Sequence, residues 1–409
     1  MSSLVIANAR VMTCARHLGA GELGVIERGS VAIEAGRIAW VGEGVVPPAY
    51  AHLHTIDAKG ALVTPGLVDC HTHAVFAGDR GAEFELRAAG RSYLEIQAAG
   101  GGIHATLLPT RAALANGSLA EVLIARANAM LAGGTTTIEV KTGYALTTEG
   151  ELGLLETIAQ AAARVAARLV PTLLAHLVPP ERRGDRDAFV REICEEWIPR
   201  AAARDAPDAP FVSAVDVWCE EAAFTLAETR RIVAAAAAAG LAVRGHVGQL
   251  SDMGGAELFA AAGARSVDHL EYVSDAAIAA LARAGTVAVM LPGACVQLRL
   301  PPPPVAKLRA AGVAMAVATD LNPGTSWSEL LPLQMWLATT HFAMTVDEAW
   351  LGVTRHAATA LGLADTGVLT PGARGDCVVW KCDRPVDVCY RMGPSLVAYV
   401  IANGSVHFG

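Results

Sequence analysis

His71 and His73 stand two apart at the end of the apolar run LVTPGLVDCHTH. Alternate residues of a strand point to one face, so both imidazoles can reach a single ion. His246 closes LAVRGHVG, His269 lies in SVDHLE, and Asp320 ends VAMAVATD. Imidazoles combined with a carboxylate suit zinc or iron in a site that keeps a position for water. A lone His-x-His is more often a solvated or structural pair. Five such residues at the ends of four apolar runs are harder to explain that way.

Those runs belong to a regular alternation over about residues 65 to 365. Eight short apolar segments are strand candidates: LVTPGLVDCHTH, TTTIEVKT, RLVPTLLAH, AVDVWCE, LAVRGHVG, SVDHLE, TVAVMLP and VAMAVATD. Alanine-rich helical stretches separate most of them, such as LAEVLIARANAMLAGG and TLAETRRIVAAAAAAG; the second ends at Gly240, a helix C-terminal signal. Eight strand–helix repeats predict a (β/α)8 TIM-type barrel, an α/β fold whose active sites lie where the C-terminal strand ends converge. Both termini read differently. GSVAIEAGRIAWVGEG has a hairpin signal at Glu34-Ala35-Gly36-Arg37. DCVVWKCD and LVAYVIANGSVHFG are also β-rich, with a turn at Ala402-Asn403-Gly404-Ser405. The expected organisation is residues 1–64 and 366–409 in one small β-sandwich, and residues 65–365 in the barrel.

Composition narrows the function classes. The 409 residues are 53% apolar and only 18% charged, which excludes a mainly disordered chain. A net charge of −8 gives no general electrostatic case for nucleic acid. A small anionic substrate would need only a local cation. The best apolar run, Ile232 to Val243, is too short for a bilayer and reads as a buried helix entering a strand. The first residues lack the basic and apolar zones of a signal peptide. Eight scattered cysteines without a Cys-x-x-Cys pair read as reduced thiols in the cytoplasm. Gly100-Gly101-Gly102 follows a helix-like stretch and lacks a P-loop lysine and hydroxyl, so phosphate cradling is not expected.

PGLVDCHTH, followed by His246, His269 and Asp320, resembles the amidohydrolase superfamily. Within it the chain is similar to the imidazolonepropionase family, through HAVFAGDRGAEFELR, SYLEIQAAGGGIHAT, TTTIEVKTGY, AHLVPPE, DHLEYVSD, MLPGA and ATDLNPGTS. The resemblance implies a metal-bearing barrel that hydrolyses the lactam bond of 4-imidazolone-5-propanoate to N-formimidoyl-L-glutamate in histidine degradation. It implies His71, His73, His246 and Asp320 as ligands of one divalent ion, zinc or iron. It implies Asp320 and His269 as the groups that accept and pass on protons. Arg80 matches the family's carboxylate-binding arginine, and a guanidinium can grip a carboxylate with two parallel bonds. Tyr93, Tyr144 and His176 match other substrate contacts, as do Asn322, Gly324 and Thr325. Asn-Pro-Gly is also a strong turn by itself. A homodimer is expected from the family alone.

The chain departs from the family pattern after His246. HVGQL stands where HADQL or HADE-type sequences are usual, so Val247 and Gly248 are atypical. Gln249 cannot titrate; it can orient substrate or water, which leaves proton transfer to His269 and Asp320. ALTTEGELG after KTGY also looks altered. Lys141 is the only one of four lysines between His73 and His246, and it falls on the second strand. Two-metal relatives use a lysine from the fourth strand, so one metal is expected, with Lys141 either an ion-pairing residue or a support behind the metal ligands. Two other readings stand beside this one. An aminohydrolase that removes a ring amine usually has glutamate three residues after the fifth-strand histidine, where Gln249 stands. A non-catalytic scaffold on the same fold should have lost ligands, yet every position is filled.

Overall fold

The computed structural model describes residues 3–91, 95, 102, 104–203 and 211–408. Strands from both termini meet in one eight-stranded sheet: β1 (Leu4–Met12), β2 (Val25–Glu34), β3 (Arg37–Glu43), β4 (His54–Asp57), β5 (Leu62–Pro65), β14 (Cys377–Trp380), β15 (Val397–Ala402) and β16 (Ser405–Phe408). The order is β16-β15-β14-β5-β1-β2-β3, with β4 paired to β1. β14 shows how a period of two serves two cores at once. Val378 and Trp380 pack into the large core shared with the barrel, whereas Cys377 and Val379 face the core of the terminal sheet.

Eight further strands run parallel in chain order: β6 (Leu67–Asp69), β7 (Thr135–Lys141), β8 (Arg168–Ala175), β9 (Ala214–Cys219), β10 (Ala242–Val247), β11 (Ser266–His269), β12 (Val287–Met290) and β13 (Met315–Val317). Each falls within one of the eight apolar segments. Residues just past β6 and β13 join the first strand to the last. Thr72 bridges Leu321, Asp320 N–H donates to His71 O at 3.0 Å, and His73 N–H donates to Leu321 O at 2.9 Å. Covered by helices outside and filled inside, these strands read as continuous apolar runs. The helix Leu226–Ala238 is typical of the outer layer. Thr225 and Glu228 form a capping box at its start, and Gly240 takes φ +75° after its end.

The first apolar segment is two strands. It breaks at Gly66: β5 joins the terminal sheet and β6 the barrel. A side chain at residue 66 would put Cβ 2.1 Å from Thr136 Oγ1, so only glycine permits this close passage. His71 and His73 lie beyond the end of β6, and Asp320 lies beyond β13, held by the contacts just described.

Candidate active site

Period-two alternation sends Glu139 and Lys141 of β7, Asp216 of β9, Arg244 and His246 of β10, and Asp268 of β11 into the barrel interior, where all are buried. The histidines sit above these charges. His71 Nδ1 is 2.8 Å from Asp268 Oδ2, and His246 Nδ1 is 2.9 Å from Asp216 Oδ1. Each carboxylate calls for the proton on Nδ1, which leaves an Nε2 lone pair on the opposite side of the ring. Those Nε2 atoms converge. His71 Nε2 lies 3.3 Å and His73 Nε2 3.5 Å from Asp320 Oδ1, and His246 Nε2 lies 3.4 Å from His73 Nε2. Four ligands tetrahedrally placed around an ion at about 2.0–2.1 Å stand roughly 3.4 Å apart. His71 Nε2 is moreover buried without a hydrogen-bond partner. The donor set therefore fits a divalent ion. Burial lowers the pKa of His71 and of His73, which keeps both in the neutral form that ligates; Lys141 adds to the effect at His71 and His176 at His73.

His269 joins the same cluster, within ligand reach of His71 and His246. Its Nδ1 is 3.8 Å from Glu271 Oε1, an ion-pair contact too long for a hydrogen bond. Burial opposes its protonation, but Glu271, Asp320 and Asp268 outweigh burial and raise its pKa. Burial pushes the Asp320 carboxyl up to about 6, against the opposing pull of His269 and His246. Both residues occupy left-handed backbone, with φ +81° at His269 and +51° at Asp320; Leu270 follows at +69°. Such conformations cost on the order of 1–3 kcal/mol each and concentrate at functional sites.

His73, His246, His269 and Asp320 of the cluster line a cleft that opens to solvent. Tyr144 and His176, with ring centroids 5.7 Å apart, line the same cleft, as do Gln249, Arg80, Asn322 and Thr325. Tyr144 is held by its loop: Glu151 accepts from the backbone N–H groups of Gly143, Ala145 and Leu146 at 2.6–2.9 Å. This is the work of ALTTEGELG. His176 stacks on His73 with centroids 5.3 Å apart, and its Nδ1 is 3.1 Å from Gly143 O. Burial pushes its pKa down to about 3, so it is neutral and offers Nε2 as an acceptor.

The Gly248 departure has a backbone cause. Gly248 takes φ +65°, and a Cβ there would come 2.4 Å from Tyr272 O. Its own carbonyl accepts from Tyr272 N–H at 2.7 Å, tying the loops after β10 and β11 together. Glu220, at the end of β9, then accepts from Leu250 N–H at 2.9 Å and from the Ser251 hydroxyl, which fixes Gln249 between them.

Arg80 pairs with an acid of its own segment. Its Nε and Nη2 donate to Glu83 Oε2 at 2.8 and 2.6 Å, so this edge of the fork already holds a carboxylate of the chain. A two-bond grip on substrate through that edge is not available. Nη1 faces Gly324, where a Cβ would lie 2.0 Å away. Gly324→Ala is therefore expected to displace Arg80 and raise KM about tenfold, the scale of one charge-assisted bond, with little change in melting temperature. Steady-state kinetics and a thermal melt check this. The Asn322 amide serves its own loop: Nδ2 donates to Asp320 O and Thr325 Oγ1, and Oδ1 accepts from the N–H groups of Gly324 and Thr325. Tyr93 and most of SYLEIQAAGGGIHAT lie outside the described residues.

Asp216, Asp268, Glu139, Glu220 and Glu151 were not singled out from the sequence. Asp216, Asp268 and Glu139 each show there as a single acid inside an apolar run, and Glu220 and Glu151 as one of two nearby acids, which alone does not tell a buried partner from a solvated end.

Comparison with known proteins agrees with this geometry. The profile of the Amidohydrolase family matches residues 62–406. An imidazolonepropionase of Cereibacter sphaeroides is 49% identical over 395 residues, covering 96% of this chain and 97% of that protein. One from Caulobacter vibrioides is 48% identical, covering 94% and 95%. Among solved structures, an atrazine chlorohydrolase from Arthrobacter aurescens in complex with zinc superposes with a TM-score of 0.71 at 17% identity, covering 99% of this chain and 95% of that one. An adenosine deaminase from Xanthomonas campestris with bound zinc gives 0.71 at 20% identity, covering 100% and 93%. At these identities the structural likeness speaks for the fold.

Proposed function

Because the chain belongs to the amidohydrolase family and its curated relatives are imidazolonepropionases, we propose that it hydrolyses 4-imidazolone-5-propanoate to N-formimidoyl-L-glutamate in histidine degradation. The observation that carries this is the meeting of His71 and His73 with Asp320, and of His246 with His73, in a cleft that also holds Arg80. The reaction adds one water across the lactam C–N bond and opens the ring.

His71, His73, His246 and Asp320 would hold one divalent ion, zinc or iron. Such an ion supplies a hydroxide nucleophile near neutral pH and polarises a carbonyl. Asp320 and His269 take the proton released as water adds and return it to the departing ring nitrogen. His176 Nε2, an acceptor, suits a ring N–H. Arg80 meets the propanoate carboxylate, with Glu83 bonded to its Nε and Nη2. Tyr93, Tyr144, Gln249, Asn322, Gly324 and Thr325 complete the substrate site, the last three by shaping the loop beside Arg80. Eight free cysteines support a reduced, cytoplasmic setting. The homodimer rests on the family resemblance.

Elemental analysis of the purified protein tests the metal reading. One tightly bound equivalent per chain is expected, and two would contradict it. Gln249 tests the proton path. Gln249→Glu should keep turnover but shift the pH–rate profile, because it adds a titratable group to the cleft that His269 also lines. An unchanged profile and rate would place Gln249 away from the reacting atoms.

A further inference from the structure

Below the imidazoles, Lys141 makes contacts that the reaction itself does not use. Its Nζ lies 2.6 Å from Asp216 Oδ2, 2.9 Å from Glu139 Oε1 and 3.7 Å from Asp268 Oδ2, and all four side chains are fully or almost fully buried. Asp216 in turn contacts His246 Nδ1, and Asp268 contacts His71 Nδ1. In both acids Lys141 faces Oδ2. In Asp216 the imidazole takes the other oxygen, Oδ1; in Asp268 both partners meet Oδ2. One ammonium is thus a single carboxylate away from each of two imidazoles. Arg244, the other buried cation nearby, pairs with Glu139 at 3.3 Å instead. Buried ion pairs are weak devices for stability, since desolvation offsets much of their attraction. They are effective at fixing geometry, and a carboxylate on the far nitrogen of a metal-binding histidine sets both its tautomer and its ring orientation.

We propose that Lys141 is a positioning residue for the metal centre: its ammonium anchors the Asp216 and Asp268 carboxylates, which hold His246 and His71 with their Nε2 atoms aimed at the ion. This rests on the metal reading above. Lysine suits the position because a compact ammonium has three donors and can meet three carboxylates at once.

The test uses the full chain and zinc affinity, measured by competition with a chromophoric chelator. Two variants are needed. Lys141→Met removes the anchor, and Lys141→Met/Glu139→Gln removes one cation and one anion together, so the buried charge stays balanced if the single variant does not fold. Both should bind zinc about 10- to 100-fold more weakly than wild type, the range seen when partners of ligating histidines are lost. With zinc saturating, KM for the imidazolone should stay within about twofold, because no substrate contact is removed. Variants that melt earlier yet bind zinc as tightly as wild type would overturn the proposal and leave Lys141 a structural residue. A wild-type chain that takes up no zinc or iron would overturn the metal reading, and this proposal with it.

Discussion

Replacing His246 with alanine is expected to lower kcat/KM by about a thousandfold or more and to leave the protein without its tightly bound metal. The ion's share of transition-state stabilisation is worth several kcal/mol, and each 1.36 kcal/mol is about a factor of ten in rate. The fold should survive. Asp216 loses the imidazole at 2.9 Å but keeps Lys141 at 2.6 Å, so no buried charge is left alone. Circular dichroism should be close to wild type while elemental analysis shows little metal. A variant that retains one equivalent and turns over within tenfold of wild type would remove His246 from the ligand set. Asp320→Ala should behave in the same way. Its loop is held to the first strand by backbone bonds from Asp320 to His71 and from His73 to Leu321, and these need no carboxylate.

Arg80→Met should raise KM for the imidazolone about ten- to hundredfold and lower kcat less. A charge-assisted hydrogen bond contributes roughly 1.5–3 kcal/mol, and an interaction equal in ground and transition states appears mainly in KM. The chain carries net −8, so its overall field does not gather an anion and a local cation must. Arg80→Lys should recover part of the loss at most. Lysine cannot keep both bonds to Glu83 Oε2 and also reach substrate with a rigid fork. A substrate analogue without the propanoate carboxylate separates the roles. Wild type and Arg80→Met should handle it about equally, and a large difference would mean that Arg80 acts on something other than the tail.

Much of the architecture is legible in the sequence because parallel barrel strands are apolar on both faces and helices separate them. That pattern marks all eight strands, and the turns at Ala35-Gly36 and Asn403-Gly404 mark the terminal hairpins. What local pattern does not carry is set by distant contacts. LVTPGLVDCHTH reads as one strand, but Thr136 presses against Gly66 and divides it between two sheets. His269 and Asp320 can be picked out as strand-end residues, whereas their left-handed backbone depends on how neighbouring loops join. The carboxylates behind His71 and His246 come from β11 and β9. Each is the single acid of its strand and gains meaning only when the barrel brings it beneath a histidine. The sequence offers Arg80 as a candidate cation for substrate, but its pairing with Glu83 depends on the helix Gly81–Ala88 that follows it.

The most direct test of the central claim is product formation by the purified protein of known metal content. The chain is incubated with 4-imidazolone-5-propanoate, and N-formimidoyl-L-glutamate is measured before chelation, after exhaustive chelation and after zinc or iron is restored. The account predicts product before chelation, loss of turnover after it, and recovery with about one equivalent of ion per chain. Full activity after chelation, or no formimidoylglutamate from the metal-loaded protein, would contradict it.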